Sequence, residues 1–237
     1  MSEIIYGRNT VLEALKADRV IKVFLLKDFY VVEILDLIKQ NKVKVEYVDK
    51  EFFKKYKDVN HQSVIAEIKP YQYYDLDQEL NKINDNEVWV MLDEINDPQN
   101  FGAIIRTCEA LGVKHIIVGK NRCVKLNSTV AKVSTGAIEY VKVIEVVNLT
   151  AAIKKMQENG FWVYAAENKE ESVDFQSVKY EGKILLVIGS EGKGISPLVL
   201  KNCDFLVKIP LIGNTTSLNA SVSFGILAYE ITKNIRR

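Results

Sequence analysis

The chain has 237 residues, with 32 Lys and Arg against 31 Asp and Glu, so its formal net charge is +1. Hydrophobic residues make up 48% and charged residues 27%, the composition of an ordinary globular protein rather than a disordered or fibrous one. So even a balance argues against capture of nucleic acid or membrane by bulk charge. The length suits one large domain or two modest ones. No apolar run approaches the ~18 residues of a membrane-spanning helix. The start, MSEIIYGRNTVLEAL, lacks a secretory apolar core. Cys108, Cys123 and Cys203 form no CxxC pair, so no disulfide framework and no metal site is expected, and the location expected is cytoplasmic. His61 and His115 are too few for a metal cluster, and His115, in KHIIVG, reads as a strand residue. Of the 32 basic residues only six are Arg, which makes an Arg inside an apolar pattern conspicuous.

The first part alternates helix and strand. Periodicity predicts a helix over 8–16, a strand over 20–26, a helix over 30–40, a strand over 43–48, a short helix over 51–57 and a strand over 63–68. Residues 71–86, polar and aperiodic with three tyrosines nearby, read as a linker with room for a short helix. The chain then divides into 1–70, the linker, and 87–237. In the last part, strands are predicted over 88–92, 115–118, 141–143, 161–165 and 184–188. Helices are predicted over 100–111, closed by Gly112, and over 149–159 and 217–234. Ser196 and Pro197 suit the cap and first position of another short helix. Leu218, Val222, Ile226 and Tyr229 fall along one side of the last helix. Continuous apolar strands between helices imply an α/β fold with a mostly parallel sheet covered on both faces.

Three segments carry chemistry. In LDEINDPQNFGAIIRT, residues 92–107, a strand runs through a polar turn into a helix, the place where open α/β sheets bind ligands. Gly102 and Arg106 are four apart, so Arg106 can lean over the bare glycine toward the mouth of a site; an exposed helical Arg with Asn100 as a plain cap fits the spacing as well. In IGSEGKGIS, residues 188–196, a buried strand enters a loop with Gly189, Gly192 and Gly194. It is neither GxGxxG nor a Walker loop, and Glu191 suits a cationic or hydroxyl-bearing ligand better than a phosphate. A plain strand-to-helix turn explains the glycines equally. In IPLIGNTTSLNASVS, residues 209–223, a short apolar strand is expected to end at Gly213, with Ser217 as cap of the last helix and Asn219, Ser221 and Ser223 in its first turns. Capping accounts for Ser217 but not for so many hydroxyl and amide groups.

In this order and spacing, the three segments resemble the three motifs of the SpoU (TrmH-like) branch of the SPOUT RNA methyltransferases, over roughly residues 87–235. YGRNTVLEAL and HQSVIAEI, near the N-terminus, resemble the small substrate-binding domain of the RlmB-like subgroup, related to an RNA-binding ribosomal protein. There the second segment usually reads His-Gln-Gly-Val, and Ser63 replaces that glycine here. Ala220 stands where the third motif usually has a bulkier residue. The resemblance implies a deep trefoil knot, which periodicity could not suggest. It also implies S-adenosylmethionine as cofactor, without a metal, and a homodimer with sites at the subunit interface. By carry-over, Gly189, Ile209 and Leu218 contact the cofactor through backbone groups, with Gly192, Leu211 and Gly213 beside them. Glu191, Ser217 and Asn219 line the site, while Asn100 and Arg106 face the substrate.

The activity implied is methylation of a ribose 2′-hydroxyl in a structured RNA, most often a guanosine of 23S ribosomal RNA. Transfer RNA and antibiotic-resistance methylation of ribosomal RNA are served by the same motifs. Arg106 is the family's favoured group for activating the hydroxyl. Guanidinium stays protonated, so binding the flanking phosphate suits it better than acting as base. RNA affinity would rest on local groups such as Arg8, Arg106, Lys120, Arg122 and Lys125. Two rivals are a non-catalytic RNA-binding assembly factor with the same fold, and a nucleotide-binding α/β protein using the 189–194 loop for phosphate.

Overall fold

A computed structural model describes residues 2–235. In chain order the elements are β1 (Glu3–Tyr6), α1 (Arg8–Lys16), β2 (Val20–Leu26), α2 (Val32–Gln40), β3 (Lys44–Val48), α3 (Lys50–Phe53) and β4 (Val64–Ile68). There follow α4 (Leu76–Leu80), β5 (Glu87–Asp93), α5 (Pro98–Ala110), β6 (His115–Gly119), α6 (Ser128–Val133), β7 (Lys142–Val146) and α7 (Leu149–Glu158). The last are β8 (Phe161–Ala166), β9 (Val173–Asp174), β10 (Lys183–Gly189), α8 (Pro197–Leu200), β11 (Phe205–Lys208) and α9 (Ala220–Ile235). The chain forms two compact units: residues up to Gln72 together with Lys125–Glu139, and Tyr73–Val124 together with the residues from Tyr140 onward.

The first unit is built on a four-stranded sheet in the order β1-β4-β2-β3, antiparallel except for the β2–β3 pair. Val11, Ala14 and Leu15 of α1 and Ile34 and Ile38 of α2 are buried, as their spacing predicts. No residue next to α1 caps it. Gly7, at φ 93°, turns the chain, and the Gln62 side chain accepts the Arg8 N–H at 2.9 Å from 54 residues away. Ser63 lies at φ 65°, in the left-handed region, so the glycine usual at that position in the resembling subgroup has a conformational reason. The helix expected over 51–57 is split: α3 ends at Phe53 and a 3₁₀ turn follows over Lys54–Tyr56. Helix α6 packs on β1 within this unit. It starts at Asn127, whose side chain accepts two backbone N–H groups, and its short, weakly periodic sequence was not legible as a helix.

The second unit holds a seven-stranded parallel sheet in the order β7-β6-β5-β10-β8-β11-β9. The chain builds outward from β5 to β7, crosses to β8, then returns to insert β10 between β5 and β8. Alternation sends Trp89 and Met91 of β5 and Leu185 and Val187 of β10 into one core layer with Ile153 and Met156 of α7. Val90, Leu92, Leu186 and Ile188 are buried on the opposite face, the side on which α5 and α9 pack together and α9 meets β5 and β10. Burial on both faces is why these strands read as continuous apolar runs.

Two expectations for the third segment are corrected. The strand is Phe205–Lys208, and residues 209–219 carry no regular structure. Pro210 removes a backbone donor there, and Gly213 is fully outside the strand. The final helix begins at Ala220, not Ser217, because Asn219 caps it, accepting the Ser221 and Val222 N–H groups at 3.0 and 3.3 Å. Its core face is Phe224, Leu227, Ala228 and Ile231. The stripe through Val222, Ile226 and Tyr229 faces solvent instead. The helix is apolar on more than one side, and periodicity alone does not choose between the sides.

Candidate active site

The site is assembled at the carboxyl ends of the parallel strands. Asp97 caps α5 by accepting the Gln99 and Asn100 N–H groups at 3.0 and 3.3 Å, and Pro98 takes the first helical position. Asn100 is therefore not the cap. Its side chain is free to donate from Nδ2 to Glu191 Oε1 at 3.1 Å, 91 residues on. Asn219 divides its amide. Oδ1 caps α9, while Nδ2 donates to Asn100 Oδ1 at 2.9 Å and to Glu191 Oε1. The same carboxylate oxygen accepts the Ala220 N–H at 3.4 Å, where the first turn of α9 presents its positive end. One residue from each of the three segments thus meets in a single hydrogen-bonded triangle.

The 190–194 loop is closed on itself. Ser190 and Gly194 exchange both backbone hydrogen bonds, at 3.1 and 2.8 Å. A side chain at Gly189 would run into the Gly194 carbonyl and the Ile195 nitrogen, so a glycine is needed here for the loop to close. A side chain at Gly192 would meet nothing within 4 Å. Ser196 stands at the head of α8 without a side-chain cap; its N–H donates to Asp93 Oδ2 at 2.7 Å. Asp93 is only 3% exposed, and this bond pins the end of β5 to the glycine loop. Glu94, at φ 58°, pairs with Arg122 at 2.9 Å and faces Lys193 at 3.8 Å, joining the turns after β5, β6 and β10.

Beside the triangle lies a cavity of about 380 Å³. Gly189, Gly192, Glu191, Ile209, Leu211, Ser217 and Leu218 line it. Gly213 does not. Arg106 is exposed on α5 and makes no hydrogen bond or ion pair among the described residues, so the structure brings together Asn100, Glu191 and Asn219 but not Arg106. Sequence reasoning missed Asp93, the Asp97 cap, and Glu167 and Asn168 of the cavity wall. The signal for Glu167 was present: it is the first polar residue beyond a buried parallel strand. Among the described residues, no group of three His, Cys, Asp or Glu side chains is set to hold a metal, and no helix is long and apolar enough to cross a membrane.

Residues 87–229 match the family profile described as the SpoU rRNA methylase family. Residues 4–74 match the profile for RNA 2′-O ribose methyltransferase substrate binding. The chain is 38% identical over 236 residues to YacO of Bacillus subtilis (strain 168), assigned by name to the TrmH family of tRNA/rRNA methyltransferases, covering 97% of this chain and 94% of that one. It is 41% identical over 235 residues to a Staphylococcus aureus (strain COL) protein named for the same family, covering 96% and 94%. In fold it is similar to the SpoU methyltransferase AviRb from Streptomyces viridochromogenes, solved in complex with AdoMet, with a TM-score of 0.83 at 18% identity over 98% of this chain and 89% of that one.

Proposed function

The chain belongs to the SpoU/TrmH family of RNA methyltransferases, and from that premise we propose that it uses S-adenosylmethionine to methylate a ribose 2′-hydroxyl, in a guanosine of 23S ribosomal RNA in the cytoplasm. The observation that carries this reading is the convergence of Asn100, Glu191 and Asn219 beside a nucleoside-sized cavity at the strand ends. The cavity fits the cofactor: Ile209, Leu211 and Leu218 give it an apolar wall, and the loops at 189–194 and 209–218 offer backbone polar groups. When bound, S-adenosylmethionine supplies a methyl group on a positively charged sulfur. The residues of the chain then have three tasks: to hold the RNA hydroxyl in line, to ease the loss of its proton, and to exclude water.

Glu191 is held rigid by two side-chain amides and one backbone N–H, so it presents negative charge at a fixed point on the cavity rim. Asn100 and Ser217 offer polar groups toward the incoming ribose. Arg106 binds the phosphate next to the target nucleotide, and its positive charge lowers the hydroxyl pKa. The chain acts as a homodimer. The exposed apolar stripe of α9, with Val222 48%, Ile226 37% and Tyr229 60% exposed, supports this. Arg8, Lys120, Arg122 and Lys125 add to the RNA contacts, Arg122 from a position where Glu94 pairs with it.

The test is Arg106→Ala. Methyl transfer to RNA falls by at least about 100-fold, the size expected when a positioned charge is lost from a transition state, while calorimetric affinity for S-adenosylhomocysteine stays within about twofold. Retained turnover, or lost cofactor binding, would refute the assignment. Mapping 2′-O-methyl sites in ribosomal and transfer RNA from a deletion strain identifies the target. If no ribosomal site disappears, the 23S reading is wrong.

A further inference from the structure

Two carboxylates line the cavity, and only one is engaged. Glu191 accepts from Asn100, Asn219 and Ala220. Glu167 has no hydrogen-bond or ion-pair partner for its carboxylate among the described residues, yet its position is well fixed. It follows β8 directly, and its N–H donates to Val207 O at 3.0 Å, which extends the pairing with β11. The glycine loop makes room for its head group. Gly194 has φ 66°, and a Cβ there would stand 3.2 and 3.6 Å from the two Glu167 carboxylate oxygens. The bare glycine therefore sits against the carboxylate, on the same cavity wall.

We propose that Glu167 binds the ribose diol of the cofactor's nucleoside, accepting the 2′- and 3′-hydroxyl protons with its two oxygens, and thereby sets cofactor specificity. The proposal rests on the cofactor reading above. A carboxylate at the carboxyl end of a parallel strand is placed as ribose-binding acids are in other α/β nucleotide sites, though the folds differ. Two adjacent hydroxyl donors match two carboxylate oxygens, and the neutral diol leaves the charge next to solvent, where it costs least. The cationic end of the cofactor has a separate anion in Glu191, at the rim where the three segments meet.

Isothermal calorimetry on the full chain tests this with four ligands: S-adenosylhomocysteine, its 2′-deoxy and 3′-deoxy analogues, and an analogue lacking the α-amino group. Wild type, Glu167→Gln and Glu167→Ala are compared, with matched melting curves for all three. In wild type each missing hydroxyl weakens binding by roughly 10- to 100-fold, as for hydrogen bonds to a charged group. In Glu167→Ala that penalty shrinks to about twofold or less, with Glu167→Gln between. The penalty for the missing amino group stays the same in all three. A deoxy penalty undiminished in Glu167→Ala, or a lost amino penalty instead, overturns the proposal. Failure of wild type to bind S-adenosylhomocysteine at all overturns the cofactor reading and this proposal with it; binding without coupling to Glu167 overturns this proposal alone.

Discussion

Glu79 offers a quantitative test of how the linker segment is held. It lies on α4, is only 3% exposed, and its carboxylate meets Lys142 at 2.6 Å, Lys82 at 3.0 Å and His115 Nε2 at 3.1 Å. Burial by itself would raise its pKa, but the bonds from Lys142, Lys82 and His115 outweigh burial and hold the carboxyl down at about 2. Burial pushes His115 down, against the opposing pull of Glu79, and its ring stacks on Trp89 at 4.0 Å. The folded carboxyl is thus more acidic than the unfolded one, at 4.5. Its contribution is complete above the unfolded value and drains away as the pH falls toward 2. A shift of that size corresponds to at most about 3 kcal/mol, and exposure of the two lysines trims it to about 2 kcal/mol. Glu79→Gln removes the charge and keeps the shape. It is expected to cost about 2–4 kcal/mol at pH 7, since it strands two buried or half-buried partners. Urea denaturation at pH 7, 5 and 3.5 reads this directly. The gap between wild type and variant is constant from pH 7 to 5, then narrows by pH 3.5. Parallel curves across the whole range would show that Glu79 is not charged against these partners.

Two further outcomes follow from backbone geometry. Ser63→Gly relieves a left-handed residue and, after the larger chain entropy of glycine is set against it, stabilises the first unit by about 0.5–1 kcal/mol; a lower melting temperature than wild type would contradict the strain. Gly189→Ala forces a methyl into the Gly194 carbonyl, so it costs about 2–3 kcal/mol and abolishes S-adenosylhomocysteine binding. Gly192→Ala, in open space, melts within about 0.5 kcal/mol of wild type. Equal melting of the two variants would refute the closed loop.

Local patterns carried most of the fold. Helix α1 and strand β2 have the bounds that periodicity predicts, and β5, β6, β8 and β10 differ from expectation by a residue or two. Part of what failed was decided by partners distant in sequence: the cap of α1 comes from Gln62, and the Asn219 amide reaches Asn100. The caps of α5 and α9 are local, from Asp97 and Asn219, where Asn100 and Ser217 fit the capping pattern as well. The buried side of α9 depends on which apolar stripe meets β5 and β10, and the sequence of the helix does not contain that choice. Segment Lys125–Glu139 lies within the stretch expected to be catalytic, yet it packs with the first unit. In the site, Asn100, Glu191 and Asn219 were legible from the motif resemblance, whereas their mutual bonds were not. Glu167 went unnoticed because it belongs to none of the three segments, although its place after a buried strand marked it.

The central claim is transfer of a methyl group to a ribose oxygen of RNA. The most direct measurement uses tritiated S-adenosylmethionine, the purified chain, and ribosomal and transfer RNA from cells lacking its gene, followed by alkaline hydrolysis. A 2′-O-methyl group blocks cleavage of the next phosphodiester, so the account predicts label in alkali-resistant dinucleotides from ribosomal RNA, absent with Arg106→Ala. Label in mononucleotides would place the methyl group on a base, and no label with S-adenosylhomocysteine bound would make the chain a non-catalytic RNA-binding protein; either result contradicts the account.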